Sequence, residues 1–172
     1  MQEIVDMDDA LGHWISGFVD GEGCFSYQKR GYANPSFSLS MRDDDEDVVM
    51  EIVEALGNIG SVHHRPNDGN TSNPAIFWLV SGKSDCQKLI DHFDKYPLRS
   101  KKARDYEIWK ELVREYAKPS AVRSREKMIV LCDALSDVKK YRSYDNIQFP
   151  VFDEQIKLIL WPSQDHAGSW VK

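Results

Sequence analysis

The sequence predicts an α+β domain with the element order α-β-β-α-β-β-α and one further helix. In the first segment, apolar residues recur at helical spacing and form the stripe Leu11, Ile15, Phe18 and Val19. In the two segments that follow, apolar and polar residues alternate, which is typical of half-buried strands. The 172 residues, 41% of them apolar, are enough for one main domain with a single core.

The remaining elements follow from the same patterns and from the turn residues between them. Strands are predicted over residues 24–32, 36–42, 61–65 and 75–81. Helices are predicted over residues 44–56, 85–96, 100–117 and 120–140. Asp43 or Asp44 is expected to cap the first of these helices, and Ser84 or Asp85 the second.

The most informative segment is ISGFVDGEG at residues 15–23. Gly17 and Gly21 lie one helical turn apart, where the missing side chains allow a second helix to approach closely. Gly21 and Gly23 are expected to end the helix, because glycine tolerates backbone angles that other residues avoid. Glu22 would then lie at the mouth of a helix–helix contact, which is a poor place for a carboxylate without a cation.

This segment resembles the signature of the LAGLIDADG homing endonucleases, with Phe in place of the second Leu and Glu in place of the last Asp. A second run, PLRSKK at residues 97–102, resembles another signature of bacterial and phage members. The resemblance covers roughly residues 10–117 and implies a saddle formed by a curved, antiparallel four-stranded sheet. It places the endonuclease core at residues 1–118. Residues 119–172 would form a C-terminal helical extension packed on the core or on the partner subunit.

The resemblance implies a site-specific endonuclease that hydrolyses phosphodiester bonds in double-stranded DNA. Glu22 would ligate Mg²⁺, with Mn²⁺ or Ca²⁺ able to replace it in binding, and the Gly21 carbonyl would add a backbone ligand. Arg99 and Lys101 are the expected catalytic cations, which would stabilise the phosphate or order solvent.

A single motif of this kind implies two copies of the chain. A duplex has two scissile phosphates, and a chain of 172 residues has no room for a second full unit. We therefore expect a homodimer in which the two helices pack through Gly17, Asp20 and Gly21 about a two-fold axis. Asp20 is expected to bond the end of the partner helix, and the target would be a long pseudo-palindromic site.

The exposed face of the sheet is expected to read bases in the major groove. The candidates, taken from strand alternation, are Ser26, Gln28, Arg30, Ser36, Ser38, Ser40, Arg42, His63 and Arg65. Lys102 and Arg104 are further DNA-binding candidates in the basic run. His64 is expected on the opposite face to His63, which argues against a metal site in this pair. Where many relatives carry a polar Gln to position water, this chain carries Met41, and Ser40 or Arg42 could substitute.

Composition leaves other functions open. The net charge of −6 argues mildly against very tight non-specific DNA binding. The alternatives are a cleavage-deficient nucleic-acid-binding protein, such as an RNA maturase or a transcription regulator, and a protein-interaction domain. Three distant cysteines and the lack of a long apolar run favour an intracellular protein without a membrane span. A bacterial or phage cytoplasm is expected rather than an organelle.

Overall fold

The computed structural model of the chain describes residues 7–28, 33–66 and 73–140. Four antiparallel strands form one sheet, and helices cover one of its faces. In chain order the elements are α1 (Asp9–Glu22), β1 (Gly23–Gln28), β2 (Asn34–Arg42), a 3₁₀ turn (Asp43–Asp45), α2 (Glu46–Ala55), β3 (Ser61–Arg65), β4 (Ala75–Ser81), α3 (Lys83–Lys95), α4 (Lys102–Ala117) and α5 (Arg125–Lys140). The predicted element order and fold class are confirmed.

The sheet order is β1-β2-β4-β3, with β2 and β4 at the centre. Phe25 pairs with Phe37, and Leu39 pairs with Trp78, so these four side chains share the face that the helices cover. Phe25 also packs its ring against Trp109 of α4, at 5.2 Å between centroids. One continuous apolar core therefore joins the sheet to the helices, and no helix of the described ranges covers the other sheet face, which we call the open face.

The glycines at the end of α1 act differently from the prediction. The helix continues through Gly21 and ends at Glu22, and Gly23 begins β1 with an extended backbone at φ −70°. A Cβ added at Gly23 would lie 2.6 Å from Val19 Cγ1 and 2.9 Å from an atom of the Phe37 ring. Gly23 is thus required for close packing rather than for an unusual backbone angle, and it fixes where Glu22 emerges from the helix.

Two predicted caps are wrong, because the acidic side chains concerned bond elsewhere. Asp44 pairs with Arg42 at 2.8 Å, within a 3₁₀ turn that precedes α2. Asp85 accepts a hydrogen bond from the Gly60 amide at 3.0 Å, which ties α3 to the turn before β3. Both side chains satisfy contacts that local sequence patterns do not reveal.

Helix α1 is held against α3 by small residues. Gly12 lies directly under the Tyr96 ring, where a Cβ would overlap the ring carbons. Ser16 donates a hydrogen bond to the Tyr96 carbonyl at 2.6 Å. Because its hydrogen is used there, the Ser16 oxygen accepts from His92 Nε2 at 3.4 Å, which indicates the neutral tautomer with hydrogen on Nε2.

This buried histidine makes stability depend on pH. Burial, followed by the nearby Lys95 charge, lowers the pKa of His92 from 6.5 to about 4. Since the unfolded chain binds a proton that the folded chain excludes, stability is full above pH 6.5 and is lost as pH falls toward 4. We expect the free energy of unfolding to drop by about 2 kcal/mol between pH 7 and pH 5 through this residue. Urea unfolding of the wild type and of His92→Gln at several pH values measures this change. The free energy of unfolding of the variant should depend less on pH, and an equal pH dependence in both proteins would contradict the role of His92.

Helix α5 packs on α4 of the same chain. Its buried side chains include Met128, Leu131 and Leu135, which join the main core. Ser136 also shares a hydrogen bond of 2.9 Å with the Tyr27 hydroxyl of β1. The helix begins at residue 125 rather than at 120, and residues 141–172 of the predicted extension lie outside the described residues. None of the helices in the described ranges is long and apolar enough to cross a membrane.

Candidate functional site

The candidate site is an open depression of about 360 Å³ where α1 ends beside the central strands. Glu22 lies at its rim with an exposed side chain, and Ser40 lines the depression from β2. Gly23, the residue after Glu22, pairs with Leu39, the residue before Ser40, and Glu22 and Ser40 both line this depression. The other residues that line the depression are Met41, Arg42, Asp45, Arg65, Asn73, Pro74 and Ala75.

Asp20 holds the start of α4 within its own chain. Its carboxylate accepts hydrogen bonds from the Arg99 amide at 2.8 Å and from the Ser100 amide and hydroxyl at 3.2 and 2.7 Å. These two residues lie just before Lys101, the N-cap of α4, where the helix dipole favours a carboxylate. Asp20 therefore has a role within its own chain, and its expected bond to the partner helix stays a prediction.

Lys102 makes the reverse contact, from α4 to the end of α1. Its Nζ donates to the Val19 carbonyl at 3.1 Å and to the Gly21 carbonyl at 2.6 Å, and the residue is only 8% exposed. Carbonyls at the end of a helix lack partners and favour a cation. Lys102 is therefore a buried cap of α1 and not the exposed DNA contact that was expected.

The two exchanges lock the end of α1 to the start of α4. A carboxylate of α1 binds amides of the segment that leads into α4, and an ammonium of α4 binds carbonyls of α1 in return. Glu22 lies directly after Gly21, whose carbonyl Lys102 binds. A fixed positive charge is thus placed next to an exposed carboxylate, an arrangement suited to stabilising a phosphate during hydrolysis.

The exposed cations predicted beside this site lie just before α4. Arg99 and Lys101 both have exposed side chains and flank Ser100, whose amide binds Asp20. Arg104 is half-buried in the first turn of α4. Their catalytic and DNA-binding roles stay predictions.

Most of the predicted DNA-reading residues share the open sheet face. Strand pairing places Ser26, Gln28, Ser38, Ser40, Arg42, His63 and Arg65 on the side opposite Phe37. Ser36 is on this face as well, but it is wrong as a base contact because it is only 3% exposed. Its short side chain lies flush with the sheet, with its hydroxyl 3.0 Å from that of Ser26. Arg30 lies outside the described residues.

The two adjacent histidines of β3 point to opposite faces, as the alternation predicts. His63 Nε2 is 2.9 Å from the Ser61 hydroxyl on the open face. His64 Nε2 lies 3.1 Å from a carboxylate oxygen of Glu46, the first residue of α2. A shared metal site for this pair is therefore excluded by geometry.

Met41 does not occupy the open face. It pairs with Ile76 on the core side, where it packs against the apolar cluster. Of the two predicted substitutes, Arg42 is engaged with Asp44, whereas Ser40 lines the depression with Glu22 and, being uncharged, forms no ion pair. Ser40 is therefore the better placed polar group to orient a water beside Glu22.

The outward face of α1 is open and partly apolar. Gly17 and Gly21 are exposed, and a Cβ built on either would meet no atom of the described residues within 4 Å. Trp14 precedes Gly17 by one turn, is 42% exposed and packs against Phe18 at 5.5 Å between ring centroids. A smooth groove between two glycines, flanked by an exposed indole, is a surface that a second helix can cover.

A divalent metal ion is compatible with the donors at this site. The Glu22 carboxylate and the Gly21 carbonyl are the hard oxygen ligands that Mg²⁺ prefers, and a carbonyl has a second lone pair besides the one used by Lys102. Within residues 7–28, 33–66 and 73–140, no three side chains of His, Cys, Asp or Glu come together as a complete metal site. The remaining ligands would have to come from water, substrate or a second chain.

The comparison with known families agrees with this geometry. Residues 15–113 match the LAGLIDADG endonuclease family, a span that begins in the middle of α1 and includes most of α4. The chain belongs to this family. The match contains both motifs, and with them the two reciprocal caps and Glu22.

Relatives of this LAGLIDADG protein are named as intron-encoded endonucleases. It is 37% identical over 101 residues to the probable intron-encoded endonuclease aI3 of Dictyostelium citrinum, covering 58% of the chain and 37% of the relative. It is 32% identical over 110 residues to the probable intron-encoded endonuclease 3 of Neurospora crassa, covering 59% and 20%. The chain therefore spans well under half the length of these relatives.

A solved archaeal intron-encoded homing endonuclease, complexed with DNA, has the same fold. The two structures superpose with a TM-score of 0.62 at 20% identity, covering 88% of this chain and 95% of the other. At this identity the likeness shows the fold alone, and it confirms the predicted four-stranded LAGLIDADG architecture.

The expected bacterial or phage origin is wrong. The relatives come from fungi and from Dictyostelium citrinum, and they are encoded within introns, which points to an organellar setting. The PLRSKK run, which suggested bacterial and phage members, was therefore a wrong guide to the host. In this chain it serves the caps between α1 and α4, a structural role that does not depend on the host.

Proposed function

We propose that this chain is a site-specific DNA endonuclease that hydrolyses phosphodiester bonds in duplex DNA with a divalent metal ion. The observation that carries the proposal is Glu22, an exposed carboxylate fixed between a helix end and an open sheet face, with the Lys102 ammonium 2.6 Å from the preceding carbonyl. The intron-encoded endonucleases among the relatives support the same activity.

Each residue has a separate task in the proposed reaction. Glu22 and the Gly21 carbonyl hold Mg²⁺, which when bound neutralises charge on the phosphate and lowers the pKa of a coordinated water. Ser40 orients the attacking water from the facing strand. Arg99 and Lys101 stabilise negative charge that develops on the phosphate, and Lys102 keeps the end of α1 in place.

The active form is a homodimer joined through the outward face of α1. Each chain offers one Glu22, whereas cutting both strands of a duplex needs two such groups. Packing two copies of α1 through Gly17 and Gly21 about a two-fold axis brings both carboxylates to the same seam and buries Trp14. The two open sheet faces then form one extended surface for a pseudo-palindromic site.

Recognition of the DNA bases is assigned to the open sheet face, although the chain is acidic overall. Gln28, Arg42, His63 and Arg65 supply the long polar side chains of this face. The acidic run at the end of β2 lies at the rim of the depression, where Asp44 pairs with Arg42. Affinity in this arrangement depends on local cations rather than on net charge, so it should fall steeply with salt.

Metal-dependent cleavage is the direct test. A target should first be selected from random duplexes by binding to the purified chain without metal, and then placed in a supercoiled plasmid. We expect linear plasmid in the presence of Mg²⁺ and a loss of about 10³-fold in rate with EDTA, since a metal supplies several kcal/mol of the barrier reduction. Specific binding with no cleavage in Mg²⁺ or Mn²⁺ would favour the cleavage-deficient alternative. An absence of specific DNA binding would refute both.

A further inference from the structure

Arg65 stands out among the side chains of the open sheet face. Many side chains of this face are short hydroxyls, namely Ser26, Ser36, Ser38, Ser40 and Ser61, while β4 contributes Ala75, Phe77 and Leu79. The hydroxyl side chains reach little beyond the backbone. Arg65, at the end of β3, is one of the few long side chains in the described part of this face. Its place at the strand end determines which part of a ligand the guanidinium contacts.

The Arg65 guanidinium is held in place by two contacts. Its Cζ lies 5.1 Å from the centre of the Phe77 ring, a cation–π distance. Its Nη2 donates to the Asn73 carbonyl at 3.3 Å. A guanidinium carries five N–H donors, so this bond leaves the outer part of the group able to bind a ligand. Because the side chain is already oriented, binding costs less rotamer entropy than it would for a freely rotating arginine.

Phe77 explains why the Arg65 guanidinium is held at its position on the open face. It pairs with Ser40 on one side and with His63 on the other, so it lies at the centre of the open face. β4 places two half-buried apolar side chains on this face, Leu79 and Phe77, and the aromatic one, Phe77, lies against Arg65. Its contact with Arg65 gives it a role as a platform for the guanidinium.

Arg65 also lines the same depression as Glu22. The Arg65 guanidinium would therefore contact the duplex close to the phosphate that is cleaved at Glu22. Arg42, the other arginine of the depression, is engaged with Asp44, whereas Arg65 is held by a ring and a carbonyl and pairs with no carboxylate of the described residues. Neither of these neighbours neutralises its charge.

We propose that Arg65, supported by Phe77, is a specificity determinant that reads a guanine in the major groove near each cleaved phosphate. The inference rests on the proposed endonuclease function. A planar guanidinium matches the O6 and N7 acceptors of guanine with two parallel hydrogen bonds, and this pairing is the commonest specific contact of arginine with DNA. With two copies of the chain, the target carries this guanine at symmetric positions of its half-sites.

The test compares the full chain with variants in a Glu22→Gln background, which suppresses cleavage during selection. Targets are selected from random duplexes with Arg65→Ala, with Phe77→Leu and with Arg114→Ala as a matched control. Arg114 is an exposed arginine of α4, paired with Glu111 and away from the open face. We expect Arg65→Ala to lose one guanine preference per half-site, Phe77→Leu to weaken it, and Arg114→Ala to retain it. Circular dichroism confirms that each variant is folded.

A second measurement separates base reading from phosphate binding. Replacing that guanine by 7-deazaguanine should weaken binding roughly 5- to 150-fold when Arg65 is present and leave Arg65→Ala unchanged. If Arg65→Ala instead weakens all sequences alike and lowers the salt dependence, Arg65 contacts phosphate and the inference is overturned. Unchanged preference in Arg65→Ala overturns it as well. If no duplex is selected by any form of the chain, the proposed function itself fails.

Discussion

Replacing Glu22 with Gln is expected to lower the rate of DNA cleavage by about 10³-fold or more, while DNA binding is retained. Glutamine keeps the length and shape of the side chain but removes the negative charge that would hold a divalent cation. Glu22 is exposed, so the substitution leaves no buried group without a partner. The fold and the open sheet face should therefore be unaffected.

The measurement is single-turnover cleavage of a selected duplex in Mg²⁺, with affinity followed in parallel by fluorescence anisotropy. Glu54→Gln, an exposed position of α2, is the matched control for the loss of one negative charge. It should cleave at the wild-type rate. Cleavage by Glu22→Gln within tenfold of the wild type would mean that another group holds the metal ion, and the assignment of the site would have to be abandoned.

Strand alternation predicted the open face well because the period of a strand depends only on the backbone. Gln28, His63 and Arg65 are on the predicted side, and His64 is on the other. The same rule fails for Ser36, because burial depends on side-chain length and on cross-strand neighbours. It also cannot find Phe77, since β4 is apolar on both faces and alternation gives no signal there.

The contacts of Asp20 and Lys102 are harder to predict, because they join segments about 80 residues apart. A local signal nevertheless existed for Lys102. The buried residues of α4 include Tyr106 and Trp109, and extending their helical spacing backwards falls on Lys102. A lysine on the inward stripe of a helix is expected to have a partner, since burying a free charge is costly. Its partner could not be identified without the fold.

These contacts suggest why the two motifs occur together in one site. The first motif contributes carbonyls and a carboxylate, and the second contributes amides and an ammonium, so each satisfies groups that the other leaves unpaired. Neither helix end could remain buried alone without a cost for its unpaired polar groups. The exchange therefore couples folding of the core to the position of Glu22, at a place where an error of 1 Å would impair catalysis.

Replacing Gly17 with Leu is expected to convert the proposed homodimer into a monomer and to abolish double-strand cleavage. A leucine side chain would fill the groove between Gly17 and Gly21 and keep two copies of α1 apart. It should leave the single chain folded, because a Cβ at Gly17 meets nothing within 4 Å, and leucine is the better helix former by up to about 1 kcal/mol. The expected effect is on assembly rather than on stability.

Sedimentation velocity gives the mass in solution, and plasmid cleavage gives the strand outcome. Glu51→Leu is the control, since it adds the same side chain at an exposed position of α2. We expect the control to remain dimeric and to linearise the plasmid, and Gly17→Leu to sediment as one chain and to produce no linear DNA. If Gly17→Leu remains a dimer that cuts both strands, the chains must meet through another surface, and the α1 face would be free for a different partner.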